Sequence, residues 1–208
     1  METSVNQLGS KKINLDEISD SLLAGLYASG FTDLEIINDE LYHLILNRKP
    51  VFAKTDYSDD SKTKTFIVAI IQSLIDNPNK KILLLVTSQV LVDKYLESFK
   101  KVSSFIDHVT ASSLLDMVDS DNIIISTQDE SEIVIENLDY IVVDNCRSED
   151  MWKRISKIDV NKAMLSESID ADIINLVGKL EKSNYLEVVE KTLTNPKPTM
   201  NVKFSDPL

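Results

Sequence analysis

Two short runs, Ile82-Leu83-Leu84-Leu85-Val86 and Ile123-Ile124-Ile125, are apolar at consecutive positions and are bounded by polar residues. A strand with one wet face alternates apolar and polar side chains. A strand apolar at every position is buried on both faces, and that requires a helix layer above and below it. The rest of the chain repeats the theme. Strands are expected over 51–53, 82–86, 108–111, 123–126, 140–144 and 163–166, and amphipathic helices over 61–76, 89–101, 112–118, 149–155 and 171–182. Strands alternating with helices give an α/β fold, a doubly wound parallel sheet with helices on both faces. Two helical patterns precede the first strand. Asn14 and Glu17 are spaced as a capping box before Ile18, Leu22, Leu23 and Leu26, and Gly30 stands where a helix ends. Asp33 can cap a second helix carrying Ile36, Ile37, Leu41, Leu44 and Ile45. Both helices are expected at the carboxyl ends of the strands.

Composition narrows the class. The chain has 208 residues, 43% apolar and 27% charged, which suits one domain with its own core. Residues 1–12 read as a loose start, 13–194 as the domain, and 195–208, with Pro196, Pro198 and Pro207, as an extended tail or linker. Lys and Arg total 22 against 34 Asp and Glu, a net charge of −12, of which residues 101–150 carry −10. So acidic a chain repels nucleic-acid phosphate unless a local basic patch intervenes. A single cysteine, Cys146, excludes an internal disulfide framework and a Cys-rich zinc site. It fits a reducing compartment, cytosol or nucleus. No apolar run is long enough to span a bilayer.

In parallel sheets ligands sit at the carboxyl ends of the strands, so the residues just beyond each strand carry the chemistry. After the first strand, Ala53-Lys54-Thr55 leads through a loop with Asp56, Tyr57, Asp59 and Asp60 to Lys62-Thr63-Lys64-Thr65-Phe66, which opens a helix. Strand, loop, Lys-Thr, helix is the skeleton of a phosphate-binding loop. Further on come Val86-Thr87-Ser88-Gln89-Val90-Leu91, Ser126-Thr127-Gln128-Asp129-Glu130, Val142-Val143-Asp144-Asn145-Cys146-Arg147 and Leu165-Ser166-Glu167-Ser168, each at a strand end. With Gly30-Phe31 and Asn38 upstream, these six segments resemble, in order and spacing, the N-terminal RecA-like domain of DEAD-box RNA helicases. The resemblance runs over residues 14 to 190.

The resemblance implies ATP and RNA chemistry, and the departures from it imply that the chemistry is gone. The family's phosphate loop is glycine-rich, because converging backbone N–H groups need angles and clearance that a Cβ denies. Here no glycine lies between Thr55 and Lys62, the loop has three extra residues, and it adds carboxylates. Only four glycines occur in the whole chain, against roughly 7% in average proteins. Lys62 is then expected as a solvated lysine at a helix start. Asp144 takes the place of the magnesium-holding aspartate, but Asn145 replaces the glutamate that handles water, and an amide is no general base at neutral pH. Without the family, Asp144 reads equally as a cap for the following turn. Gln89 and Glu130 stand where the family has RNA-binding arginines, and Asn38 where it has a glutamine. Asn38, Thr55, Lys62, Thr63, Asp144 and Ser166 therefore read as vestigial positions, with no cofactor, metal or catalytic residue expected. Cys146 has no base spaced to activate it and reads as a small buried residue.

The acidic groups Asp116, Asp119, Asp121 and Asp129, Glu130, Glu132 lack the glycine turn and terminal Glu of a calcium loop and read as a solvated face. The expected function is an inactive helicase-like domain acting as a scaffold for another protein in an RNA-related complex. The alternative is a weak residual ATP- or RNA-binding module of a larger helicase-like protein. A basic partner would meet Asp129, Glu130 and Glu132, with Ile133, Ile135, Met151 and Trp152 as the apolar centre or else as core.

Overall fold

The structure, a computed structural model, describes residues 11–12, 14–31, 35–36, 39–55, 59–130, 133–146, 149–166 and 184–188. Strands β3 (Val51–Thr55), β4 (Lys81–Val86), β5 (Ala111–Ser113), β6 (Ile123–Thr127), β7 (Leu138–Val143), β8 (Asn161–Ser166) and β9 (Asn184–Val188) form one parallel sheet in the order β5-β6-β4-β7-β8-β3-β9. A two-residue antiparallel pair, β1 (Lys11–Lys12) with β2 (Glu35–Ile36), stands apart, so 11 and 12 are paired rather than part of a loose start, and Ile36 lies in a strand rather than on the second helix, which begins at Asp39.

The consecutive apolar runs follow from this layering. Ile82, Leu84, Val86, Ile123, Ile125, Tyr140, Val142, Ala163 and Leu165 face one core, while Leu83, Leu85, Ile124, Ile141, Val143 and Met164 face the other. On the first face lie α1 (Asp20–Ala28), α2 (Asp39–Leu46), α3 (Asp59–Ile75) and α4 (Gln89–Val102). Phe66 through Ile71 are buried on every side of α3, because the sheet lies under that helix and α1 and α2 lie over it. The second face is covered by α5 (Glu149–Ile155) with Leu114, Met117, Ile133, Ile135 and Ile158. The expected helix over 171–182 lies outside the described residues.

Three further expectations about the elements are corrected. Asn14 and Glu17 brace a single 3-10 turn, Leu15–Glu17, and α1 starts beyond it, with Ser19 as N-cap accepting from the Leu22 amide. Its end is as expected: Gly30 at φ 83° and Phe31 bond back to the carbonyls of Tyr27 and Leu26, a Schellman closure. Secondly, α1 does not sit at the strand carboxyl ends. The Ser19 amide donates to Gln72 late in α3, and Gly25 lies against Val102 at the end of α4, so α1 rests over the amino-terminal half of the sheet. Thirdly, residues 112–118 are not a helix. Ala111–Ser113 pairs with β6, and a turn braced by Ser113 Oγ donating to Asp116 follows.

Candidate functional site

The carboxyl ends of β3, β7 and β8 and the first turn of α3 converge on one buried polar cluster. Lys62, on the first turn of α3, points its Nζ to within 3.6 Å of Asp144 Oδ1, and both side chains are only 2% exposed. Tyr95 of α4 donates its hydroxyl to Asp144 Oδ2 at 2.9 Å. The Tyr95 ring is held between Phe66 and Phe99, with centroids 6.2 and 6.3 Å away. The expectation of a solvated Lys62 is therefore overturned. A buried ammonium needs a counter-ion, and Asp144, arriving from a different strand, supplies it.

The loops around the cluster are tied to one another. Gln128 Nε2 donates to the carbonyls of Asp144 (2.7 Å) and Asn145 (3.2 Å). Asn145 turns the chain at φ 57°, a left-handed angle that asparagine tolerates better than most side chains. The Cys146 amide donates to Leu165 O at 2.8 Å, and Ser166 Oγ donates to Cys146 O at 3.2 Å. Arg154 of α5 donates to the carbonyls of Gln128 (2.6 Å) and Glu130 (2.5 Å), pinning the loop after β6. Cys146 is buried, as a small core residue should be.

Of the residues singled out by sequence, Lys62, Thr63, Asp144 and Ser166 are brought together and are buried. The backbone of Thr55 ends β3 and that of Asp59 begins α3. Asn38, Tyr57, Glu132 and Arg147 lie outside the described residues. Asp129 is exposed and Glu130 half-buried on the loop after β6. Met151 and Trp152 are 2% and 4% exposed in the second core, and Ile133 and Ile135 pack against that core. They form no exposed apolar centre beside Asp129. Sequence reasoning missed Tyr95, Gln128 and Arg154. Tyr95 carried a signal: with Val92 and Phe99 it lies on the buried face of α4, and a buried phenol needs a polar partner.

Chemically, the cluster is an internally neutralised ion pair. Lys62 and Asp144 balance one another's charge across 3.6 Å in a site closed to solvent.

The fold is similar to that of RecA-like helicase domains of known structure. Among solved structures, the yeast DEAD-box splicing factor Prp28 is similar at 16% identity, with 91% of this chain and 54% of that chain covered and a TM-score of 0.68. Dbp5 of S. cerevisiae, bound to Nup159, Gle1, IP6 and ADP, is similar at 18% identity over 83% of this chain and 53% of that one, TM-score 0.66. The DUF1998 helicase MrfA bound to DNA is similar at 17% identity over 88% and 31%, TM-score 0.64. This chain thus spans between about a third and about half of those proteins' lengths. No protein-family model matches the chain, and no curated protein matches it in sequence.

Proposed function

We propose that this chain is a RecA-like helicase domain that has given up ATP hydrolysis and serves as a protein-binding scaffold in an RNA-related complex. The observation that carries the reading is the buried Lys62–Asp144–Tyr95 cluster, which spends the two charges a nucleotide site needs on each other. The sequence adds to it. The loop before α3 has no glycine, and Asn145 follows Asp144 where a water-handling carboxylate would be required. Loss of one acid–base or electrostatic contributor costs about 10²- to 10⁴-fold in rate, and several are absent together. A fold kept without its chemistry still offers a surface. Dbp5, a structural neighbour, is bound to the proteins Nup159 and Gle1, so this kind of domain occurs in protein assemblies.

A second reading has one specific observation behind it. Lys62 and Asp144 still face one another across the site, as residual binding of magnesium–ATP would require. A thermal-shift titration with magnesium–ATP separates the two. A nucleotide at about a hundred times its Kd stabilises the native state by about 2.7 kcal/mol, which moves the melting temperature by several degrees. The expected result is no shift at millimolar nucleotide and no hydrolysis above background. A shift or a turnover that disappears in Lys62→Ala would establish the residual site instead.

A further inference from the structure

The turn that carries Asp144 into the buried cluster is gripped from the loop after β6. Asn145 stands at φ 57°, a left-handed conformation that a residue with a side chain keeps only where its surroundings enforce it. Gln128 supplies the enforcement. Buried at 8% exposure, it donates Nε2 to Asp144 O at 2.7 Å and to Asn145 O at 3.2 Å, so one amide group holds both carbonyls of the turn. Gln128 is itself fixed from two sides. Its amide donates to Val86 O at the end of β4 at 2.8 Å, and its carbonyl accepts from Arg154 of α5 at 2.6 Å. The ends of the turn are anchored separately, by the Asp144 amide on Leu85 O at 2.9 Å and the Cys146 amide on Leu165 O at 2.8 Å. Those bonds fix where the turn begins and ends. The bonds from Gln128 fix the peptide between Asp144 and Asn145, and with it the direction in which the Asp144 side chain leaves the chain.

We infer that Gln128, braced by Arg154, is an autoinhibitory latch: by holding the turn at Asn145 it keeps the Asp144 carboxylate against Lys62 and Tyr95, and so keeps Lys62 from solvent. The residue type fits the task. A glutamine carries two N–H donors for two carbonyls, whereas a glutamate of the same length would turn oxygen toward oxygen. Without those donors the two carbonyls lose their partner and the left-handed angle loses its enforcement. Both losses favour rotation of the 144–145 peptide. That rotation carries Asp144 off its line to Lys62, and an ammonium without its counter-ion moves toward water. Any ligand for either charge therefore has to displace the loop after β6 first. The latch rests on the reading that Lys62 and Asp144 are spent on each other, and adds what keeps them so.

The test is acetylation of the native full chain by N-hydroxysulfosuccinimide acetate, with the rate at each lysine read by peptide mass spectrometry. Lys101, exposed on α4, reports the reagent. Lys162, half-buried and bonded to the carbonyls of Ile158 and Val160 near the amino end of β8, reports global unfolding. In wild type Lys62 should react about a hundredfold more slowly than Lys101, because it reacts only when the cluster opens. In Gln128→Met, which keeps the length and loses the donors, Lys62 should react about tenfold or more faster than in wild type while Lys162 is unchanged. Gln128→Glu should act in the same direction, and Arg154→Met likewise but less. Lys62 reacting like Lys101 in wild type would overturn the closed pair and the latch together. Lys62 protected in wild type and equally protected in Gln128→Met would overturn the latch alone. If Lys62 and Lys162 speed up together, the variant is unfolding, and hydrogen exchange on wild type in rising urea decides instead. The amides of Gln128, Asp144 and Cys146 should then share one opening, at a lower free energy than the Leu84 amide in central β4. Separate openings, or exchange only through the opening that also exposes Leu84, would overturn the latch.

Discussion

A lysine ammonium shut away from water is tolerable only beside an anion, and Lys62 meets that condition through the Asp144 carboxylate 3.6 Å away. Breaking such a pair from one side leaves the other charge desolvated and alone, which costs about 3–5 kcal/mol. Removing both charges together avoids that penalty. Lys62→Met and Asp144→Asn are therefore each expected to destabilise by about 3–5 kcal/mol in urea unfolding, and the double variant by clearly less than their sum. The coupling should be about 2–3 kcal/mol, at the upper end for residues in direct contact. Additive losses would mean that the pair is solvated. Tyr95 keeps its share in this cycle, since asparagine at 144 still offers an oxygen to its hydroxyl. The pair was not legible in the sequence because its members are far apart along the chain and arrive on different elements. A lysine near a helix start carries no mark of the strand end it will face. Strand-end position did single out Asp144, and the Lys-Thr spacing singled out Lys62 and Thr63. What it could not convey was that Lys62 and Asp144 neutralise one another.

At the scale of elements, the central sheet was legible because β4, β6, β7 and β8 are buried on both faces, and that burial demands apolar side chains at consecutive positions. The edges were not. Ala111–Ser113 is only three residues long, and its identity as strand comes from pairing with β6 rather than from its own pattern. Asn184–Val188 lies parallel to β3, yet Asn-Tyr-Leu-Glu-Val offers no run that its own sequence would distinguish from loop. The position of α1 was also illegible, although its cause is one residue. A Cβ on Gly25 would stand 1.9 Å from the carbonyl oxygen of Val102, so only glycine lets α1 rest against the end of α4. Gly25→Ala is expected to lower stability by about 1–3 kcal/mol or more, because the obstacle is backbone and cannot rotate aside. The sign is diagnostic, since helix propensity alone favours alanine by about 1 kcal/mol. The reverse exchange on the same helix, Ala24→Gly, should cost about that propensity difference. A melting temperature raised by Gly25→Ala would mean that α1 is not docked on Val102.

For the molecule as a whole, charge decides what it can approach. Affinity of proteins for RNA comes largely from neutralising phosphates with lysine and arginine, and each such contact adds to the slope of binding against salt. This chain has a net charge of −12, and its most acidic fifty residues include the loop after β6, where Asp129 is exposed. Where the helicase resemblance expects arginines, Gln89 spends its amide on Asp93 within α4, and Glu130 lends its carbonyl to Arg154. Arg154 itself is turned to the carbonyls of Gln128 and Glu130, so its guanidinium braces the loop instead of facing a ligand. A phosphate chain crossing this end of the sheet would meet carboxylate where attraction is needed, and at about 4 Å such a like-charge contact costs between about 1 and about 4 kcal/mol near a surface. We expect labelled single-stranded RNA of ten uridines to show no anisotropy change with this chain at physiological salt, up to about 10 μM protein. Lowering the salt should not rescue binding, since weaker screening strengthens repulsion as well as attraction. Micromolar affinity that falls steeply as salt rises would contradict this. It would mean that a basic patch on this acidic chain takes up phosphate after all.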